Sequence, residues 1–439
     1  MQPLKTALFT LGTMGDIHMY LPLAKQIQAA GHAVQFCTYA CYREKVTRVG
    51  IPFTPIPPDI EADFFTQIYD DVKDKNLNDK AESSIDRLFL RDIEQRFEAC
   101  LAIIKQCDLV ICHQVDWAAQ IAAELAKVPW VQGIPGPFGM PNEGFVPRGL
   151  RTANLGAPLN KMTWRFLIWM MGKTLFRGIN RFGRKVGSKR KDLGFFSMSP
   201  HLNLLATSPH LAILPKNMPP ATVATGPWSL SEPDYELSDE LRRFLASGPA
   251  PAVIGFGSMG GNSADGKTTA EMVIEALRET NQRMVIQRGW GRLVAGDDPN
   301  IMCADYIPHE HLFPHAAFVM HHGGAGTTAA AAKAGVPQIV IAHSLDQFYW
   351  GDMVARRNLG PPLLARQKLS QSQLTERIRH LLGNAAAMRA GAATLADHLR
   401  REDGPAAAVT AIETFYTHHT QHNAAAPRPT MADPDLTPT

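Results

Sequence analysis

At 439 residues the chain is too long for one ordinary hydrophobic core, and two domains of about 200 residues each fit the length best. Hydrophobic residues make up 45% and charged residues 19%, as in soluble globular proteins, and a net charge of +3 gives no global attraction to nucleic acid. No leader peptide and no run of 18 or more apolar residues is read, so neither export nor a membrane span is expected.

In chain order, residues 6–11 form an apolar strand that leads into a loop at 12–16, Gly-Thr-Met-Gly-Asp. Residues 19–30 place Leu21, Leu23, Ala24, Ile27 and Ala30 at helical spacing, and 33–37 make a second strand. A strand, helix, strand unit predicts a doubly wound parallel sheet whose ligands bind beyond the carboxyl ends of the strands, where the 12–16 loop stands. Pro52, Pro55, Pro57 and Pro58 open a stretch richer in charge, with helix expected around 83–104. Strands follow at 108–112 and 129–134, with a helix at 117–125 between them and a loop at 135–147 after them. The six cysteines, Cys37, Cys41, Cys100, Cys107, Cys112 and Cys303, include no Cys-x-x-Cys pair, which points to reduced thiols and a cytoplasmic setting.

Residues 161–191 carry ten Lys or Arg and no Asp or Glu, interleaved with Trp164, Phe166, Trp169, Met170 and Phe176. Such a segment fits an ordinary helix pair with a solvated basic face, or a peripheral contact with an anionic membrane. A boundary is expected at 225, followed by a polar linker at 229–238 and a second strand-first domain at 252–256. The loop after that strand, Gly257-Ser258-Met259-Gly260-Gly261, is no hydrolase nucleophile elbow, because Phe256 stands where a glycine is needed. A strand and turn at 284–290, helices at 374–382 and 388–416, and a disordered, proline-rich end from 418 complete the chain.

Residues 318–342 carry the clearest chemistry. A short apolar strand ends at His322, passes through Gly323, Gly324 and Gly326, and continues into an alanine-rich helix that Gly335 and Pro337 stop. Glycines let a backbone approach a ligand, and the free N–H groups of a first helical turn lie at the positive end of the helix dipole, so the loop suits phosphate. Thr327 and Thr328 add hydroxyl donors, and His322 an imidazole donor. After the next strand, Asp346 and Gln347 suit sugar hydroxyls, while Phe348, Tyr349 and Trp350 offer aromatic surface.

Taken together, Tyr306-Ile307-Pro308-His309, His322 to Thr327, Gly335-Val336-Pro337 and Asp346-Gln347 resemble the donor-binding signature of the inverting, nucleotide-sugar-dependent glycosyltransferases of family one. The match is best with their bacterial and sterol-glucosyltransferase-like branch, which also carries a double His before Gly-Gly-Ala-Gly-Thr-Thr. The resemblance implies an α/β GT-B fold, in which two Rossmann-like doubly wound domains face a central cleft. Residues 1–225 would bind the acceptor and 226–400 the donor, with a helix at 401–417 crossing back to the first domain and a disordered tail at 418–439. The co-substrate implied is a UDP- or dTDP-sugar, with no metal and no other cofactor, and the reaction is transfer of a hexose, with inversion, to a hydroxyl of a lipophilic small molecule.

The same resemblance distributes roles. Tyr306 would stack on the base, Ile307 would read its edge through the backbone, and His309 closes that segment. Gly257, Ser258, His322, Gly324, Gly326, Thr327 and Thr328 would approach the nucleotide's phosphates, and Asp346 and Gln347 the sugar. In the loop after the first strand, Asp16 is the first candidate for the base that deprotonates the acceptor and His18 the second; Met14 occupies the position of the histidine used in other branches. An aspartate there also suits the cap of the following helix. Met14, Phe138 and Trp350 are the acceptor-side candidates. Ala330 replaces a ribose-binding glutamate of the plant enzymes, which leaves uridine and thymidine both open.

Two other readings compete. His309, His311, His315, His321 and His322 lie within fourteen residues and could signal a metal hydrolase, but no His-Glu-x-x-His and no neighbouring cysteine pair accompanies them. A nucleotide-sugar epimerase, or a noncatalytic nucleotide-sugar-binding protein on the same fold, would keep the donor site and need no acceptor base.

Overall fold

Strands of almost uninterrupted apolar residues need cover on both faces, and the chain supplies it with helices around two parallel sheets. The computed structural model describes residues 2–61, 64, 90–144, 155–190, 193–194, 197–256, 264–287, 298–343 and 346–425. The first sheet contains β1 (Lys5–Phe9), β2 (Ala33–Thr38), β3 (Phe53–Pro55), β4 (Leu109–His113), β5 (Trp130–Ile134), β6 (Leu202–Leu205) and β7 (Thr222–Ala224). Its spatial order is β3-β2-β1-β4-β5-β6-β7, all parallel. Its helices are α1 (Met14–Ala29), α2 (Arg43–Arg48), α3 (Ile93–Ile104), α4 (Trp117–Ala126), α5 (Ala157–Lys173) and α6 (Arg177–Lys185).

The second sheet repeats the plan with β8 (Ala252–Gly255), β9 (Met284–Gln287), β10 (Ile301–Ala304), β11 (Phe318–His321), β12 (Gln338–Ala342) and β13 (Leu364–Ala365), in the order β10-β9-β8-β11-β12-β13. Around it lie α7 (Asp239–Ala246), α8 (Ala264–Glu279), α9 (His309–Leu312), α10 (Ala325–Ala334), α11 (Asp346–Arg356), α12 (Gln371–Gly383) and α13 (Ala385–Arg400). In both sheets the connections change direction beside the first strand, between β1 and β4 and between β8 and β11. Those are the switch points at which open parallel sheets bind ligands.

The last helix, α14 (Gly404–Ala425), returns to the first domain. Its Ala408, Val409 and Ile412 join the apolar core built on β1, β2, β4 and α1, and His32 Nε2 meets Glu413 Oε1 at 3.1 Å. Two boundaries differ from expectation. The helix expected over 388–416 is broken at residues 401–403, where α13 gives way to α14. The final helix also runs through Ala425, eight residues past the expected end at 417. Cys37, Cys100 and Cys112 are buried, and desolvation raises their thiol pKa values, so they stay protonated. Among the described residues no helix is long and apolar enough to cross a membrane.

A buried ion pair fixes the loop beyond β1. Arg96 of α3 forks onto Asp116, with Nε to Oδ1 at 3.1 Å, and its Nη2 also donates to the carbonyl of Thr10 at 3.3 Å. Asp116 in turn caps α4 by accepting from the N–H of Ala119. Removing one partner of such a pair strands a charge in the core. Asp116→Ala is therefore expected to lower unfolding free energy by about 3–5 kcal/mol, measured by urea denaturation. A loss below about 1 kcal/mol would show that the pair does not hold the loop.

Candidate active site

Helix α1 starts five residues before its expected first residue, so Met14 and Asp16 belong to its first turn and not to a free loop. The cause is local. Thr13 is extended at φ −79° and ψ 174°, and Asp16 reaches back to it as a capping box: Oδ2 accepts from Thr13 N–H at 2.8 Å and from its hydroxyl at 3.0 Å. Gly12, at φ +121°, lets the backbone pass Asp16, because a Cβ there would collide with the carboxylate. Capping and a cleft role therefore coexist in one side chain. Oδ2 holds the helix start, while Oδ1 lies 3.5 Å from Nε2 of His113, and the side chain stays 33% exposed.

His113 is a residue that sequence reasoning passed over. It ends β4 at the switch point, is 3% exposed, and accepts the Val115 N–H on Nδ1. That bond places the ring proton on Nε2, the atom facing Asp16. Its position at the end of an apolar strand was the available signal. His18, one turn after Met14, directs its ring edge at Tyr306, 6.1 Å between centroids, and burial followed by the Lys45 charge lowers its pKa. The α1 side of the cleft thus touches the other domain.

On the donor side, Gly324 is the N-cap of α10, and Gly326 and Thr327 stand in the first turn. The ring of His322 lies so close to Gly324 that a Cβ there would sit 2.6 Å from Nε2; only glycine admits the imidazole. Nδ1 of His322 is buried without a hydrogen bond in the protein. Burial lowers its pKa to about 4, so it is an uncharged donor, and the positive field at this loop comes from the helix terminus. His309 stacks on Phe313 at 4.4 Å and is likewise lowered to about 4 by burial, with His18 and His322 adding to the effect. Tyr306 is 54% exposed, donates to Glu232 at 3.2 Å and faces His18. The Ile307 carbonyl accepts from Gln287 at 2.9 Å.

His343, also unremarked in the sequence, directly follows β12. It stacks on Phe256 at 5.8 Å, and both of its ring nitrogens are buried without a partner. Asp346 opens α11, and its pKa is raised to about 7 by burial and then by the Asp16 charge. The candidate base and the candidate sugar ligand therefore feel each other across one cleft.

Four expectations need correction or fall outside the described residues. Thr328 is fully buried and gives its hydroxyl to the Gly324 carbonyl at 2.9 Å, so it seals the helix start and does not face a phosphate. Gln347 is 6% exposed and its carboxamide oxygen accepts the His343 N–H at 2.7 Å, so that atom closes the turn and is not offered to a sugar. Trp350 is 1% exposed; it packs on Gly136 and on Leu211 and Ala212 of the first domain, as interdomain core and not acceptor surface, and Phe138 packs against the same cluster. Gly257 and Ser258 lie outside the described residues. Of the five clustered histidines, His321 is fully buried between Gln338 and the Gly323 N–H, and His311 meets the Glu232 carbonyl. Among the described residues no group of three or more His, Cys, Asp or Glu side chains is placed to hold a metal ion.

Comparison with known proteins agrees with the two-sheet architecture. Residues 6–132 match the glycosyltransferase family 28 N-terminal domain, and residues 271–415 match the erythromycin biosynthesis protein CIII-like C-terminal domain. A sterol 3-beta-glucosyltransferase of Arabidopsis thaliana is 30% identical over 94% of this chain and 68% of its own length. The glycosyltransferase GtfC of Amycolatopsis orientalis is 30% identical over 82% of this chain and 86% of its own. The crystal structure of the glycosyltransferase VinC with dTDP superposes with a TM-score of 0.65 at 17% identity, covering 94% of this chain and all of that one.

The Asp346 carboxyl makes a pH prediction. Its folded pKa, about 7, exceeds the ordinary aspartate value of 3.8, so its burial penalty is absent below about pH 4, grows as pH rises and is complete above pH 7. Asp346→Asn should therefore stabilise the unliganded protein at pH 8 by up to about 4 kcal/mol, with the gain vanishing near pH 4. His309 and His322, lowered to about 4, act oppositely in both proteins by destabilising the fold below pH 6.5, so the variant-minus-parent difference isolates Asp346. A pH-independent difference in urea-unfolding free energy would overturn the assignment.

Proposed function

Because the chain belongs to the GT-B glycosyltransferases of the bacterial and sterol-glucosyltransferase-like branch, we propose that it transfers a hexose from a UDP- or dTDP-sugar, with inversion, to a hydroxyl of a lipophilic acceptor. Sterols and natural-product aglycones, the acceptors named for its relatives, are the class in view. The observation that carries the mechanism is the Asp16 carboxylate, with one oxygen fixed by Thr13 and the other backed by His113, standing at one switch point opposite the glycine loop of the other.

In this reading the acceptor hydroxyl gives its proton to Oδ1 of Asp16 as its oxygen attacks the anomeric carbon. The bond from that carbon to the diphosphate breaks on the opposite face, which inverts the centre. Charge growing on the leaving diphosphate meets the N–H groups at the start of α10 and the His322 imidazole, donors already oriented before the reaction. His113 keeps Asp16 aimed, and Asp346 accepts sugar hydroxyls. Tyr306 offers its half-exposed ring to the base. No step is routed through a metal. The setting in this reading is cytoplasmic.

Three measurements test this. Asp16→Asn keeps an acceptor for the Thr13 N–H, so helix α1 should remain; transfer should fall by about 10²–10⁴-fold while nucleotide binding persists. Unchanged transfer would remove Asp16 as the base and bring His18 forward. Thermal unfolding with UDP, dTDP and GDP should show a rise with UDP or dTDP that a chelator leaves intact; no rise with any of them would sink the donor site. His113→Gln should lower kcat about tenfold with KM for the sugar donor unchanged, since the side chain aims Asp16 and touches no donor atom. A change confined to KM would refute that role.

A further inference from the structure

The outward face of α5 is apolar. Leu159, Met162, Phe166 and Trp169 recur at helical spacing and are 47%, 59%, 61% and 61% exposed, while Trp164 on the opposite face is 2% exposed and anchors the helix to the domain. The Phe166 and Trp169 rings lie 6.1 Å apart, forming one continuous patch. A water-facing helix normally places such residues inward, so a patch of this kind marks a contact surface.

Charge identifies the partner. Arg165 and Lys173 are exposed beside the patch, and the next helix, α6, exposes Arg177, Arg181, Arg184 and Lys185 at positions that share a face. Lys185 pairs with Glu94 and Lys161 with Glu143, whereas Arg165, Arg177, Arg181 and Arg184 pair with no described carboxylate. Segment 161–191 has ten basic residues and no acidic one, so the other 408 residues hold 34 Lys and Arg against 41 Asp and Glu, a net of −7. The basic excess of the whole chain thus sits beside its exposed aromatic helix. An apolar ridge flanked by arginines fits a bilayer interface with anionic headgroups, where aromatic rings insert and cations stay at phosphate level.

We propose that this α5 and α6 surface docks on anionic phospholipid bilayers, with Met162, Phe166 and Trp169 inserted. It deepens the proposed function by naming the lipid surface, and it rests on that reading only for the purpose served, namely access to a membrane-dissolved acceptor. Geometry favours that purpose. The start of α5 is tied to the loop after the carboxyl end of β5, on the ligand side of the first sheet, through Asn160 Nδ2 to the Glu143 carbonyl at 2.7 Å and Lys161 to the Glu143 carboxylate at 2.5 Å.

The test is co-sedimentation of the full chain with vesicles of phosphatidylcholine alone or with 30% phosphatidylglycerol, read together with Trp emission. We expect binding at least tenfold tighter to the anionic vesicles, a blue shift on binding, and loss of both in Phe166→Glu/Trp169→Glu. Arg177→Glu/Arg181→Glu should also abolish the preference for anionic lipid. These positions are exposed, so circular dichroism and the thermal shift with dTDP should match the parent, which separates a failure here from a failure of the donor-site reading. Equal binding to both vesicle types, or anionic binding that survives Phe166→Glu/Trp169→Glu, overturns the proposal. So does a dimer in light scattering that this variant dissociates while vesicles bind neither form, which would make the face a contact between copies of the chain.

Discussion

Two parallel sheets can act on one pair of substrates only if the carboxyl ends of their central strands face the same space, and this constraint organises the molecule. Thr13 and Asp16 beyond β1, with His113 at the end of β4, come from the first switch point, and His322 at the end of β11 comes from the second. The meeting is visible in the contacts that cross it: His18 against Tyr306, and the Asp16 charge raising the Asp346 pKa. Helix α14 ties the end of the second unit to the core of the first through Val409 and Ile412. Neither domain alone contains a complete site.

Burial then sets the charge of the cleft. His309, His322 and His343 are held uncharged at neutral pH, at about 4, 4 and 3, and Asp346 sits at about 7. A site lined with charged imidazoles would hold a diphosphate before and after transfer alike. In the proposed reaction, neutral imidazoles and helix N–H groups would instead give directional donors whose benefit grows as charge develops on the leaving group, the condition for lowering a barrier and not merely for binding. The dipole of α10 is the permanent positive element here, and it requires the close passage that Gly324 permits.

Much of this was legible in the residues. The strand, glycine loop and helix order at 318–342 follows from apolar run, glycines and alanines, and β12 falls on the expected residues 338–342. What was not legible depended on tertiary contacts. Thr327 and Thr328 are chemically alike in sequence, yet the rotation of about 100° between neighbouring helical residues places Thr328 inward against Gly324 and leaves Thr327 partly exposed. Trp350 read as a stacking surface because aromatics serve equally in cores and clefts, and only the packing of α11 on residues 209–213 decides between them. His113 was invisible because a lone histidine ending a strand acquires meaning only when β1 and β4 become neighbours.

The interdomain contact made by α11 links donor and acceptor sides mechanically. Asp346 starts this helix in the donor cleft; one turn later Tyr349 exchanges hydrogen bonds with both the N–H and the carbonyl of Ile213, and Arg357 just beyond its end donates to the carbonyls of Leu211 and Ala212. Under the proposed function, a helix with Asp346 at one end and its side bolted to the first domain would couple movement of the donor site to movement of the acceptor side. The misplaced expectation for Trp350 is instructive on this point. Its ring fills the space over Gly136, just before Phe138, so the aromatic expected to touch the acceptor instead packs against that loop and helps set its position.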